Sequence, residues 1–77
     1  MITILLFSFL QEAYGKEKLV IDMEEMTVSQ LKELLSKEYG LPNMNQVMIA
    51  VNEEFASDNM VVRAGDIVAC IPPVSGG

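Results

Sequence analysis

The sequence contains no histidine and a single cysteine among its 77 residues. Without histidine there is no histidine-dependent catalytic triad, and one cysteine forms neither an internal disulfide nor a zinc site of several thiolates. Basic residues are also scarce, with 5 lysines and arginines against 11 acidic residues and a formal net charge of −6. This charge does not suit a phosphate backbone or an anionic membrane. We therefore predict no metal, no nucleic acid partner and no membrane partner.

The length of 77 residues allows one small domain. A domain of this size buries only about 60% of the surface that its unfolded chain exposes, which leaves little chain to wall a deep pocket. We therefore predict that the chain is not an enzyme by itself and binds no cofactor.

The first ten residues, MITILLFSFL, form an apolar run. A secretory signal peptide has Lys or Arg before its apolar region, whereas here no charged side chain precedes the run and Gln11 and Glu12 follow it directly. The run is also too short to span a bilayer. These features favour a buried first strand and a cytoplasmic protein.

The strongest secondary-structure signal is a helix predicted over residues 28–39. Thr27 is a suitable N-cap and Gln30 is the return partner of a capping box, while Gly40 is suited to the C-terminal end. Apolar residues at helical spacing give this helix one apolar stripe: Val28, Leu31, Leu34 and Leu35.

Strands are predicted on both sides of this helix. Residues 3–9 and 19–23 are rich in β-branched and apolar residues and bracket a loop that contains Tyr14 and Gly15. After the helix, residues 47–51 and 67–71 form strands, with a short returning strand at Phe55 and Ala56. One helix covers only one face of a sheet, so the pattern predicts an α+β domain of the β-grasp (ubiquitin-like) type. We expect a mixed sheet of four to five strands, with the first strand central and beside the last.

The first strand is apolar on both sides. Ile4 and Leu6 lie on one side and Leu5, Phe7 and Phe9 on the other, where a solvated face would alternate with polar residues. We therefore predict that part of the face opposite the helix contacts a partner.

Three apolar residues are the candidates for this partner interface. Strand alternation puts Phe7 on the side opposite the helix, Phe55 follows the Asn52 turn, and Ile71 precedes the first proline of the terminal segment. Their positions predict a hydrophobic patch near the point where the chain leaves the domain.

The last six residues differ in composition from the rest of the chain. Pro72 and Pro73 end the last strand, so we expect a β-grasp domain over residues 1–71 and an extended tail over residues 72–77. Val74 and Ser75 continue the tail to Gly76 and Gly77. Because these glycines have no Cβ, they can thread a narrow channel and bring the terminal carboxylate to a partner's catalytic groups.

The tail and the strand before it form a specific pattern, Gly65-Asp66-Ile67-Val68-Ala69 followed by Pro72-Pro73-Val74-Ser75-Gly76-Gly77. Further matching positions are Leu6, Phe7, Glu12, Gly15, the helix start at 27–35, Ala50, Val51 and Asn52. Together they resemble the small subunit of molybdopterin synthase, a β-grasp sulfur carrier. Gln11 departs from this pattern, because the family often has Arg there, and a loop contact with a partner is therefore left open.

The resemblance implies a sulfur-transfer mechanism. An ATP-dependent activating enzyme related to those of ubiquitin adenylates the carboxylate of Gly77, and a sulfurtransferase converts it to a thiocarboxylate. The tail then enters the large subunit of a heterotetrameric synthase and donates sulfur to cyclic pyranopterin monophosphate, which forms the dithiolene of molybdopterin. In this scheme ATP is used by the activating enzyme, and the chain is the non-catalytic, sulfur-donating subunit.

Other interpretations of the sequence are a ubiquitin-like modifier joined to target lysines through Gly77, a carrier for thiamine thiazole synthesis, and an interaction module with an idle tail. Thiazole carriers share the Gly-Gly end but usually lack the Pro-Pro-Val-(Ser/Thr) run. Cys70 lies inside an apolar strand and is predicted to be a structural thiol rather than a persulfide carrier. The pairs Glu24-Glu25 and Glu53-Glu54 are predicted to be solvated charges at turns.

Overall fold

The computed structural model describes residues 1–73. Its helices are α1 (Phe9–Tyr14) and α2 (Val28–Glu38), with a short 3-10 helix at Met44–Gln46. Its strands are β1 (Ile2–Leu6), β2 (Lys18–Ile21), β3 (Glu25–Thr27), β4 (Met48–Val51), β5 (Glu54–Phe55), β6 (Val61–Arg63) and β7 (Ile67–Ile71). Five strands form one sheet in the order β2-β1-β7-β4-β5, and β3 pairs with β6 in a second, two-stranded sheet.

The centre of the large sheet is the parallel pair β1 and β7, in which Leu5 lies opposite Ala69. The other pairs of this sheet, β1 with β2, β4 with β7 and β4 with β5, are antiparallel, so the sheet is mixed. This confirms the predicted β-grasp architecture with the first strand beside the last. It also places the C-terminal end of β7 at the middle of the sheet rather than at an edge.

Helix α2 packs on one face of the sheet because its apolar stripe and the inward residues of the strands exclude water together. Val28, Leu31 and Leu35 are fully buried, as are Ile4 and Val68 on the sheet. The predicted capping box is confirmed, since Thr27 N donates to Gln30 Oε1 (3.0 Å) and Gln30 N donates to Thr27 Oγ1 (3.1 Å). The helix ends at Glu38, one residue before the predicted end.

The segment after β1 differs from the prediction of a strand over 3–9 followed by a loop. Strand β1 ends at Leu6, Ser8 turns the chain with a φ of 54°, and α1 begins at Phe9. Leu10 is fully buried and Phe9 packs against the same core, so the placement of Phe9 on the face opposite α2 is wrong. Gly15 ends the helix with a φ of 92°, a left-handed conformation that glycine adopts without strain.

The remaining differences concern strand ends and the small sheet. Strand β2 ends at Ile21, two residues early, β4 begins one residue late at Met48, and β5 is Glu54–Phe55 rather than residues 55–56. The small sheet was not predicted, and Glu25 lies in its strand β3 rather than in a turn. Strand β7 has the predicted bounds.

Candidate functional site

The terminal segment begins where β7 leaves the sheet. Strand β7 ends at Ile71, and Pro72 and Pro73 follow directly, as predicted. A proline has no N–H to donate to a neighbouring strand, which accounts for the strand ending here. The other predicted tail residues, Val74, Ser75, Gly76 and Gly77, lie outside the described residues, so their roles stay predictions.

The sheet face opposite α2, hereafter the outer face, is largely apolar and partly exposed. Strand pairing places these residues on it: Thr3, Leu5, Lys18, Val20, Met48, Ala50, Phe55, Ile67, Ala69 and Ile71. Phe55 is 69% exposed and Ile67 is 49% exposed. Isolated apolar side chains are common on protein surfaces, but a contiguous apolar face indicates an interaction site.

The structure brings two of the three predicted interface residues onto this face. Ile71 is half-buried and lies opposite Met48, while Phe55 is exposed and lies opposite Ala50. The third, Phe7, follows β1 and is exposed. It lines a cleft of about 210 Å³ together with Leu5, Leu6, Gln11, Glu17 and Lys18.

Sequence reasoning missed three exposed members of the outer face, namely Val20, Met48 and Ile67. All three sit in strands at positions that alternate with buried residues, and this alternation is the signal that identifies them.

A trough of about 400 Å³ lies on the outer face and is lined by Leu5, Asn52, Glu53, Ile67 and Ala69. Ala69 leaves room at the middle of the sheet because its side chain is small. Asn52 and Glu53 belong to the turn between β4 and β5 and have φ values of 50° and 72°. The trough therefore has apolar walls on the sheet and polar groups at the turn.

The polar end of the trough is held by hydrogen bonds between two turns. Asn52 Nδ2 donates to Asp66 Oδ1 (3.0 Å), and Asn52 Oδ1 accepts from Ile67 N (3.0 Å). Asp66 Oδ2 also accepts from Arg63 N (2.8 Å). The bond from Arg63 N, followed by the bond from Asn52, lowers the pKa of Asp66 from its ordinary value of 3.8, so this side chain is a carboxylate at neutral pH.

Cys70 is fully buried in the core under α2, as predicted for a structural thiol. Burial raises its pKa to about 12, because a thiolate loses hydration in the apolar interior. At neutral pH the group is a thiol without solvent access. This environment does not activate a sulfur nucleophile.

The acidic pairs do not form a metal site. Glu25 pairs with Arg63 (3.4 Å), and among residues 1–73 no group of three or more acidic or cysteine side chains is arranged to hold a metal ion.

In the same part of the chain, no helix combines the length and apolarity needed to cross a membrane.

Comparison with known sequences defines the family. The family model described as the ThiS family matches residues 4–77. The molybdopterin synthase sulfur carrier subunit of Arabidopsis thaliana is 37% identical over 79 residues, covering 99% of this chain and 82% of the relative. The protein of the same name from Dictyostelium discoideum is 35% identical over 82 residues, covering 96% and 93%. The chain belongs to the ThiS family, and its predicted resemblance to molybdopterin synthase sulfur carriers is confirmed.

Solved structures agree on the fold. A putative molybdopterin converting factor subunit 1 from Pyrococcus furiosus has a TM-score of 0.80 at 23% identity, covering 95% of this chain and 97% of that one. SAMP1 from Haloferax volcanii has a TM-score of 0.72 at 26% identity, covering 99% and 98%. A protein-protein complex of subunits 1 and 2 of the molybdopterin-converting factor from Helicobacter pylori has a TM-score of 0.70 at 23% identity, covering 99% and 97%.

Proposed function

We propose that this chain is the sulfur carrier subunit of molybdopterin synthase and carries sulfur as a thiocarboxylate on Gly77. The observation that supports this most is the 37% identity to a protein of that name over 99% of the chain. Consistent with it, β7 ends at the prolines that precede Gly76 and Gly77. In this proposal residues 1–71 are the domain and residues 72–77 are the tail.

The chemistry needs only a bare carboxylate at the end of a narrow tail. A carboxylate is a poor electrophile, so an activating enzyme first uses ATP to convert Gly77 to an acyl-adenylate and releases pyrophosphate. A persulfide of the sulfurtransferase then displaces AMP and forms an acyl disulfide with Gly77. A second thiol reduces this acyl disulfide, which leaves a thiocarboxylate on Gly77 and a disulfide between the two thiols. The ionised sulfur of the thiocarboxylate is a strong nucleophile that attacks the pterin precursor in the large subunit. No side chain of the carrier takes part in bond making.

The pterin phosphate is expected to bind to the large subunit. Of the 5 basic residues, three are in ion pairs: Lys32 with Asp58 (3.3 Å), Lys37 with Glu33 (3.3 Å) and Arg63 with Glu25 (3.4 Å). An anionic phosphate requires convergent cations, and a chain with a net charge of −6 repels it. The carrier therefore contributes sulfur and a docking surface.

The outer face is the proposed docking surface for the large subunit. It is apolar, it is left uncovered by α2, and Ile71 places it beside the start of the tail. A partner that covers this face holds the body of the carrier while the tail reaches its catalytic groups. We assign Phe7, Phe55 and Ile71 to this contact.

Changing the terminus tests the proposed function. Adding one residue after Gly77 is expected to abolish adenylation and sulfur loading, because the reacting carboxylate is displaced and belongs to another residue. The measurement is product formation by the purified activating enzyme, sulfurtransferase and large subunit, with the mass of the untrimmed tail verified. One residue added before Met1 is the matched control and is expected to have no effect. Full product from the C-terminally extended chain would contradict the proposal.

A ubiquitin-like modifier is the second candidate function. The specific observation in its favour is the 26% identity to SAMP1 from Haloferax volcanii over 99% of the chain. SAMP1 stands for small archaeal modifier protein 1. A modifier forms an isopeptide bond between Gly77 and a lysine of another protein, whereas a carrier ends in a thiocarboxylate. The intact mass of the chain, and of any adduct, separates the two functions. A carrier for thiamine thiazole synthesis instead predicts sulfur transfer without any need for the large subunit.

A further inference from the structure

The trough on the outer face combines an apolar floor with a negative end. Leu5, Ile67 and Ala69 supply apolar surface, and Glu53 and Asn52 close the end at the turn between β4 and β5. Its volume of about 400 Å³ exceeds what a single small side chain fills. A purely apolar side chain would occupy the floor of the trough without using the carboxylate at this end.

Glu53 is the charged group at the trough. It is exposed, and it takes part in none of the ion pairs among residues 1–73. A second carboxylate lies behind this end, because Asp66 accepts from the side chain of Asn52. The hydrogen bonds of Asn52 to Asp66 and Ile67 fix this wall before any partner arrives. The turn that carries Glu53 is thus held in place by the fold, while the Glu53 side chain itself extends into solvent.

We propose that the trough receives a long cationic side chain, lysine or arginine, from the large subunit, an inference that rests on the proposed function. The methylene groups of such a side chain lie along Leu5, Ile67 and Ala69, and its charged head meets the carboxylate of Glu53. Lysine and arginine routinely bury their stems on apolar surface while the head stays with polar groups. The match is one of both shape and charge, and it fixes the orientation of the carrier on its partner.

The chain contains a matched control for this contact. Glu54 is the next residue and carries the same charge, but it does not line the trough. Strand pairing places Glu54 opposite Val51, which is buried on the side of α2, whereas the outer face at this edge is formed by Phe55. Glu53→Gln and Glu54→Gln therefore change the net charge equally. Only Glu53→Gln removes a carboxylate that lines the trough.

The experiment measures the dissociation constant of the full-length chain and the large subunit from the same organism by calorimetry, at low and high salt. Glu53→Gln is expected to weaken binding about tenfold at low salt, as for loss of one charge-assisted hydrogen bond. Glu54→Gln is expected to change it by less than about twofold, as for an exposed charge outside the contact. At high salt the dissociation constants of the two variants are expected to differ less, because salt screens the interaction between the charges. Thermal unfolding of both variants verifies that the fold is retained.

The results separate the inference from the proposed function. A tenfold loss confined to Glu53→Gln supports a cation in the trough. Binding by the unchanged chain together with equal effects of both variants, or no effect of either, would overturn the cationic contact and leave the sulfur carrier function standing. No binding by the unchanged chain would contradict the proposed function and the inference together. A third variant, Ala69→Met, fills the trough and is expected to weaken binding even at high salt, and unchanged affinity would also overturn the inference.

Discussion

The two faces of the large sheet are both apolar, yet the fold uses only one of them. On the face under α2, Ile2 and Ile4 have no exposed surface, whereas on the outer face Ile67 is 49% exposed and Phe55 is 69% exposed. The same type of side chain therefore serves folding on one side of a strand and remains available to a partner on the other. Strands β1 and β7 therefore carry more apolar side chains than the domain needs for its own core.

The largest expected effect is a difference in stability between two isoleucine variants on opposite faces of the sheet. Ile4→Ala removes buried methyl and methylene groups, so the free energy of unfolding should fall by about 2–5 kcal/mol. Ile67→Ala affects a half-exposed side chain, and its loss should stay below about 1 kcal/mol. Urea denaturation of both variants measures the difference. Equal losses would show that the outer face is as much a part of the core as the inner face.

A charge placed at the edge of the outer face should lower the affinity for the large subunit without unfolding the domain. Phe7→Lys is expected to weaken the complex with the large subunit by about 2 kcal/mol or more, since a cation replaces an aromatic side chain that the large subunit would cover. Thermal stability should change little because Phe7 is 45% exposed. Met60→Lys is the control, since Met60 is 41% exposed and its carbonyl accepts from Val28 at the start of α2. Unchanged affinity of a folded Phe7→Lys variant would remove Phe7 from the interface.

The smallest expected effect is a pH dependence of stability that arises from Asp66 in the turn before β7. The pKa of Asp66 is lowered from 3.8 in the folded state, so the folded chain binds fewer protons at this group than the unfolded chain does. The stabilisation is complete above about pH 5 and is lost as the pH falls through 3.8 toward the folded value. Asp66→Asn should therefore lose less stability than the unchanged chain between about pH 5 and pH 2. Parallel curves for the two chains would contradict this role of Asp66.

Much of the fold could be predicted because local signals and tertiary packing agree there. The capping box at Thr27 and Gln30 marks the start of α2, and the turn before Ile67 marks the start of β7. The short helix α1 was missed because residues 3–9 have the composition of one continuous strand. Only the turn at Ser8, whose positive φ has no glycine to signal it, separates β1 from α1. Strands β3 and β6 have three residues each, too few for a periodic pattern.

The candidate site also has parts that local sequence signals predict and parts that depend on tertiary structure. The exposed positions of Phe7 and Phe55 and the burial of Cys70 follow from strand alternation and apolar context, and all three were predicted. The trough was not predictable, because it depends on the register that brings Leu5, Ala69 and the β4–β5 turn together. The hydrogen bond between Asn52 and Asp66 joins turns whose two residues are 14 positions apart in sequence, which no local pattern reveals.

The sulfur carrier function is tested most directly by the intact mass of the chain isolated from its native host during molybdopterin synthesis. We expect a fraction of molecules in which one oxygen is replaced by sulfur, with fragmentation locating the exchange at Gly77. Cys70 should be unmodified in the same molecules because its side chain is fully buried. A terminus found only as a free carboxylate, or only in isopeptide bonds to other proteins, would contradict the sulfur carrier function.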